Sequence, residues 1–165
     1  MDMTAQVPQF AAAPAGLEAR VRAVLAGVAD PEIPVLSVLD LGVVRAIEVG
    51  PEGAVRVAVS PTYSGCPATA VIRRDIAHAL RAAGFEGATA YDRLAPPWSS
   101  DWITPDGHRK LHEYGIAPPT ADRELACPRC GSKATRRLSE FGSTPCKALY
   151  RCDSCVEPFE RFKCH

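Results

Sequence analysis

Apolar and polar positions along the chain set out a short series of elements. Leu17, Val21, Val24, Leu25 and Val28 recur at the spacing of one helical face. Pro31 ends that helix, because it disfavours the helical region for Asp30. Val43, Arg45, Ile47 and Val49 then alternate with Val44, Ala46 and Glu48, and Val55, Val57 and Val59 alternate with Arg56, Ala58 and Ser60. With Gly50-Pro51-Glu52-Gly53 between them, the two runs predict a β-hairpin. Residues 67–83 predict a second helix whose face is Ala68, Val71, Ile72, Ile76, Ala79, Leu80 and Ala83, with Gly84 as its C-cap. Residues 88–94 predict a third strand, ended by Pro96-Pro97. A short third helix opens at Thr104-Pro105 and closes at Tyr114-Gly115. Trp98 and Trp102 stand in the polar loop before it. They read as anchors of that loop on the core, with a partner-contact surface as the competing reading.

The pattern is that of an α+β protein: a small mixed sheet with a hairpin and packed helices, followed by a smaller β-rich module. Residues 1–15 are rich in Ala and Pro and predict a disordered tail. The first domain runs over residues 16–117, a proline-containing linker over 118–125, and the module over 126–165. Formal charge is zero over the whole chain, but unevenly so. Residues 127–165 hold eight Lys/Arg against four Asp/Glu, and residues 1–126 hold eleven against fifteen. A module this mildly basic argues against nucleic acid as a partner. No run of about 18 apolar residues exists to span a membrane, and the start lacks a secretory pattern. The expected setting is the reduced cytoplasm.

Cysteine placement changes the picture most. Six of the seven cysteines lie in the last 39 residues. Cys127-Pro128-Arg129-Cys130 and Cys152-Asp153-Ser154-Cys155 are two CxxC knuckles, the spacing of a four-thiolate site. With strand-like residues between them, they predict a zinc ribbon. A module of about 40 residues has too little core to fold alone, so the metal supplies much of its folding free energy. Zinc is the expected ion and an iron–sulfur cluster the alternative. A closed four-cysteine site has no open position and is structural. Cys146 and Cys164 are left over. They are either packing thiols or a second soft-metal site shared with Cys66.

Cys66 ends the loop Ser60-Pro61-Thr62-Tyr63-Ser64-Gly65 and stands before Pro67, at the mouth of the second helix. Free backbone N–H groups and the helix dipole favour a thiolate there, so Cys66 is the candidate reactive or cluster-binding thiol. A buried packing cysteine is the competing reading. The loop Asp30-Pro31-Glu32-Ile33-Pro34 is either a helix stop with solvated acids or a wall of the same site, with Asp30 or Glu32 facing Cys66. His108 and His112, four apart on one helix face, have no third ligand beside them and read as surface residues. No nucleotide loop, dinucleotide fingerprint or di-iron Glu-x-x-His pair is present.

Asp30-Pro31-Glu32-Ile33-Pro34, Asp40-Leu41-Gly42-Val43-Val44 and Pro61-Thr62-Tyr63-Ser64-Gly65-Cys66-Pro67-Ala68 resemble the domain of SufT-like iron–sulfur cluster assembly factors. Residues 141–152, from Phe141 to Cys152, and the closing Phe162-Lys163-Cys164 resemble the PaaD (PaaJ) family of phenylacetate degradation. The resemblance spans about residues 17–165. It implies an accessory factor of the multicomponent oxygenase that epoxidises phenylacetyl-CoA, not itself catalytic. That factor assists iron–sulfur maturation of the oxygenase reductase, and a non-catalytic structural subunit is the alternative. It implies Cys66 as the reactive cysteine and Asp30 as the acid of the first loop. The implied cofactors are structural zinc and a transient iron–sulfur cluster or iron. The implied partners are the reductase or other oxygenase subunits, with a homodimer left open.

Overall fold

Three helices and two four-stranded sheets make up the computed structural model, which describes residues 9–63, 65–120 and 125–164. Helix α1 (Ala15–Leu25) precedes the hairpin of β2 (Val44–Val49) and β3 (Val55–Val59), and the strand β1 (Ala11–Ala12) lies on the outer side of β2. Helix α2 (Ala68–Ala82) crosses to β4 (Thr89–Asp92), which joins β3 in parallel. The first sheet therefore runs β1-β2-β3-β4. Period-two alternation produces the hairpin and a 3.6-residue stripe produces α2, whose Ile72, Ile76 and Leu80 are buried. The fold class is the expected α+β.

The tail expected over residues 1–15 is corrected at its end, its first eight residues lying outside those described. Ala11 and Ala12 pair with Val49 and Glu48, and the Ala13 N–H donates to the Ile47 carbonyl at 3.0 Å. The Arg56 guanidinium also sits 3.9 Å over the Phe10 ring.

Helix α3 (Pro105–Tyr114) begins as expected, with Thr104 Oγ1 accepting from the Gly107 N–H at 3.0 Å, and ends at Gly115 with φ 89°. Strand β5 (Ile116–Ala117) pairs in parallel with β8 (Pro158–Phe162) of the second sheet. That sheet runs β5-β8-β7-β6, with β6 (Thr135–Ser139) and β7 (Lys147–Cys152) antiparallel. Of the expected linker 118–125, residues 121–124 lie outside the described ones.

Two apolar clusters form. The larger contains Val21, Leu25, Ile47, Val57, Ile76 and Leu111 of the first domain, and with them Cys146 and Phe162 of the ribbon. Phe162 stacks obliquely on Trp98 at 5.9 Å between ring centroids. Trp98 is the expected anchor: it is buried, and its Nε1–H donates to the Leu41 carbonyl at 3.0 Å. The smaller cluster, around Phe159, Leu125, Cys127 and Cys152, belongs to the ribbon. The ribbon thus shares its core with the first domain. Among the described residues no helix is long and apolar enough to cross a membrane.

Candidate functional site

The two knuckles bring Cys127, Cys130, Cys152 and Cys155 together, with all four sulfurs within 4.8 Å of one another. Each knuckle is a tight turn. The Gly131 N–H donates to the Cys127 carbonyl at 2.9 Å, and the Cys152 N–H to the Glu157 carbonyl at 3.0 Å. Ser132 and Ser154 hydroxyls tie the two turns at 2.7 Å. Four sulfurs at about 2.3 Å from a tetrahedral centre lie about 3.8 Å apart. The Cys127–Cys155 and Cys130–Cys152 sulfurs lie 3.8 and 3.6 Å apart, against about 2.05 Å for a disulfide. The donor set and spacing fit Zn²⁺. Backbone N–H groups, that of Cys155 foremost, pull the Cys152 thiol down to about 6. At Cys155 the Glu157 N–H lowers the thiol, but burial and the neighbouring sulfurs outweigh it and push it up to about 12. Four sulfurs this close resist ionising together unless a cation joins them.

The second site lies where the two domains meet. Asp30 and Glu32 from the loop after α1, Cys66 from the loop before α2, and Cys146 from the residue just before β7 line one cavity. Its remaining wall is largely apolar, with Ile33, Leu41, Val43, Val59, Ile72 and Phe162. The first loop is pinned by the Asp30 N–H donating to the Leu36 carbonyl at 2.8 Å and by an Ala29–Ser37 bridge. Asp30 Oδ1 accepts from the Glu32 and Ile33 N–H groups at 2.9 and 2.7 Å. No described residue hydrogen-bonds to its other oxygen. Burial raises Asp30 above the ordinary carboxylate range and outweighs those two N–H bonds. Burial, then the charge of Asp30, raises Glu32 as well. The Cys66 N–H donates to the Tyr63 carbonyl and the Cys66 carbonyl accepts from Thr69, both at 3.2 Å. The turn therefore presents Cys66 just before the helical Pro67. Cys66 is half-buried, whereas Asp30 and Cys146 are buried. Cys66 and Glu32 accordingly form the solvent side of the cavity, and Asp30 and Cys146 its depth.

The leftover thiols part company. Cys146 belongs to the cavity, with Thr144 Oγ1 3.0 Å from its sulfur and its thiol pushed up by burial. Cys164 is exposed and directs its S–H to the Thr120 carbonyl at 3.3 Å. The expected grouping of Cys146 with Cys164 is corrected: Cys164 does not line the cavity. Among the described residues, the ribbon four are the only group of three or more His, Cys, Asp or Glu ligand atoms this closely gathered, and His108 and His112 join none. Sequence reasoning missed Lys147. It is buried beside Cys146, paired with Glu160 at 2.8 Å, and its charge draws Asp30, Glu32 and Cys146 downward. Nothing in local spacing separates this lysine from a solvated one.

Both parts of the chain match known families. Residues 18–90 match the iron–sulfur cluster assembly protein family, and residues 113–163 the PaaD zinc beta ribbon domain. The chain is 50% identical over 149 residues to an Escherichia coli (strain K12) protein named as the D component of 1,2-phenylacetyl-CoA epoxidase, covering 86% of this chain and 90% of that one. It is 32% identical over 83 residues to a Porphyromonas gingivalis (strain ATCC BAA-308 / W83) Fe-S protein maturation auxiliary factor, covering 50% of this chain and 78% of that one. The crystal structure of a DUF59 domain from Bacillus anthracis aligns with a TM-score of 0.53 at 22% identity, over 58% of this chain and 92% of that one. It shares the fold of the first domain.

Proposed function

Because the chain belongs to the family of the D components of phenylacetyl-CoA epoxidase, we propose that it is an accessory factor of that oxygenase in aerobic phenylacetate degradation, assisting iron–sulfur maturation of the oxygenase reductase through Cys66. One observation carries this reading: Asp30 and Cys66, from two separate loops of an assembly-type domain, face one cavity. Cys66 stands on the solvent side, where it can take iron or a cluster as cargo and release it to a client apo-protein. Asp30 has its Oδ1 held by two backbone N–H groups. That leaves Oδ2 as an oxygen donor for the cargo. The apolar wall keeps competing water few.

Cys127, Cys130, Cys152 and Cys155 would hold zinc, which supplies folding free energy to the ribbon and leaves no open position for chemistry. The protein in this reading is not a catalyst. It works in the cytoplasm beside the reductase, and its ribbon docks the client.

The test is Cys66→Ser as the only copy. Folding and zinc content stay intact, and the reductase accumulates with a depleted cluster. Normal cluster loading with that variant refutes the proposal. The Escherichia coli relative is named as a component of the epoxidase itself, which favours a second reading, a non-catalytic structural part of the oxygenase. Stoichiometric co-purification with the active complex, indifferent to Cys66→Ser, would select it.

A further inference from the structure

Cys146 enters the Cys66 cavity from a different domain, and the maturation reading makes no use of it. The cavity wall holds two thiols and two carboxylates, from three segments far apart in the chain, set in apolar surroundings. Oxygen donors alone would suit Mg²⁺ or Ca²⁺, but two sulfurs select against both. Two thiols and two carboxylates also match the donor count of one four-coordinate ion.

We propose that Cys66 and the ribbon's Cys146, with Asp30 and Glu32, form one composite site for a single thiophilic divalent cation of the ferrous-iron class. The proposal rests on the maturation reading and names what the site holds. Thr144 Oγ1 lies 3.0 Å from the Cys146 sulfur and holds it in place. Binding forms two metal–sulfur bonds and breaks two S–H bonds, whose protons leave to solvent on the Cys66 side. The ribbon sulfurs are gathered within 4.8 Å of one another, and the cavity donors form no such group. The ribbon sulfurs are thus preassembled for their ion, whereas the cavity donors have to draw together on theirs. The ribbon's part in delivery is then chemical as well as structural: it brings the second sulfur.

Anaerobic titration of the zinc-loaded full chain with Co²⁺ tests this. Wild type should bind one equivalent beyond the ribbon zinc, with a thiolate-to-cobalt charge-transfer band. Cys146→Ser should cut that band by about half and weaken binding at least about tenfold, and Cys164→Ser should change neither. An unchanged band in Cys146→Ser overturns the proposal, as does the lack of a second equivalent in wild type. Because Cys146 is buried, its variant could lose the ribbon fold. Cobalt-edge absorption spectroscopy on wild type removes that dependence: a shell of two sulfurs with oxygens is expected, and one sulfur or four overturns the site. Cluster content of the reductase keeps the two readings apart. If Cys66→Ser depletes it while the cobalt shell holds one sulfur, this inference falls and maturation stands. If Cys66→Ser leaves it full, maturation falls whatever cobalt does.

Discussion

Phe162→Ala should destabilise a domain to which residue 162 does not belong in sequence. Phe162 is 1% exposed and sits in the core cluster of the first domain, against Trp98 and the Cys66 cavity. Truncating a buried Phe costs about 3–5 kcal/mol, and the lost aromatic pairing falls within that range. With a urea slope of about 3 kcal/mol/M for a chain of this size, the midpoint should fall by about 1 M or more. The chain has two tryptophans, Trp98 and Trp102, both before the ribbon. Their fluorescence therefore reports the first domain, and a zinc-sensitive dye reports the ribbon. In wild type the two signals should change together. In Phe162→Ala the fluorescence midpoint should move by the full amount. If fluorescence keeps its midpoint while zinc release shifts, the domains unfold independently and the shared core is not an energetic unit.

Two further outcomes follow from local geometry. Asp40 accepts from Ser37 N–H and Oγ at 2.9 and 2.8 Å and from Lys110 Nζ at 2.8 Å; burial raises its pKa, but these partners outweigh it and hold it below the ordinary carboxylate value. Its contribution is therefore complete above the unfolded value and fades as pH falls through the lower folded one. Asp40→Asn should cost about 1–3 kcal/mol at neutral pH and markedly less near pH ~2, read from urea midpoints at both; an equal cost at both removes the argument. Gly42 has φ 70°, and a Cβ there would overlap the Trp102 carbonyl oxygen. Gly42→Ala should cost about 2–3 kcal/mol and lower the melting temperature by roughly 5–10 °C, and a shift within about 1 °C would show that the backbone gives way.

What the chain discloses by pattern is what each element decides for itself. The hairpin, α2 and α3 carry their own periodicity and caps, and the knuckles carry their own spacing. What stayed hidden is decided by a partner. Ala11 and Ala12 have no alternation to read and become a strand because β2 offers an edge. Ile116 and Ala117, followed by two prolines, carry no strand signal and become a strand because β8 lies beside them. Cys146 is the clearest case. Nothing in its local sequence distinguishes a core thiol from a ligand. Its place follows from the pairing of Lys147 with Phe162, from the Lys163 N–H donating to the Cys146 carbonyl at 2.9 Å, and from Phe162 entering the core of the first domain.

That pairing also links the Cys66 cavity to the four-cysteine cage. Strand β7 starts beside Cys146 at the cavity and ends on Cys152 in the cage. At about 3.3 Å per residue, six steps separate the two sulfurs' backbones by about 20 Å. A strand's side chains change face with every one-residue slip, so a register set at one end dictates which face Cys146 presents at the other. Zinc in the cage would hold the Cys152 end, and the Lys147–Glu160 ion pair together with Phe162 hold the Cys146 end. The ion in the cage would then do more than fold a small module. It would keep a second sulfur aimed across the domain boundary at Cys66, so that a ribbon without its ion leaves a one-thiol cavity behind.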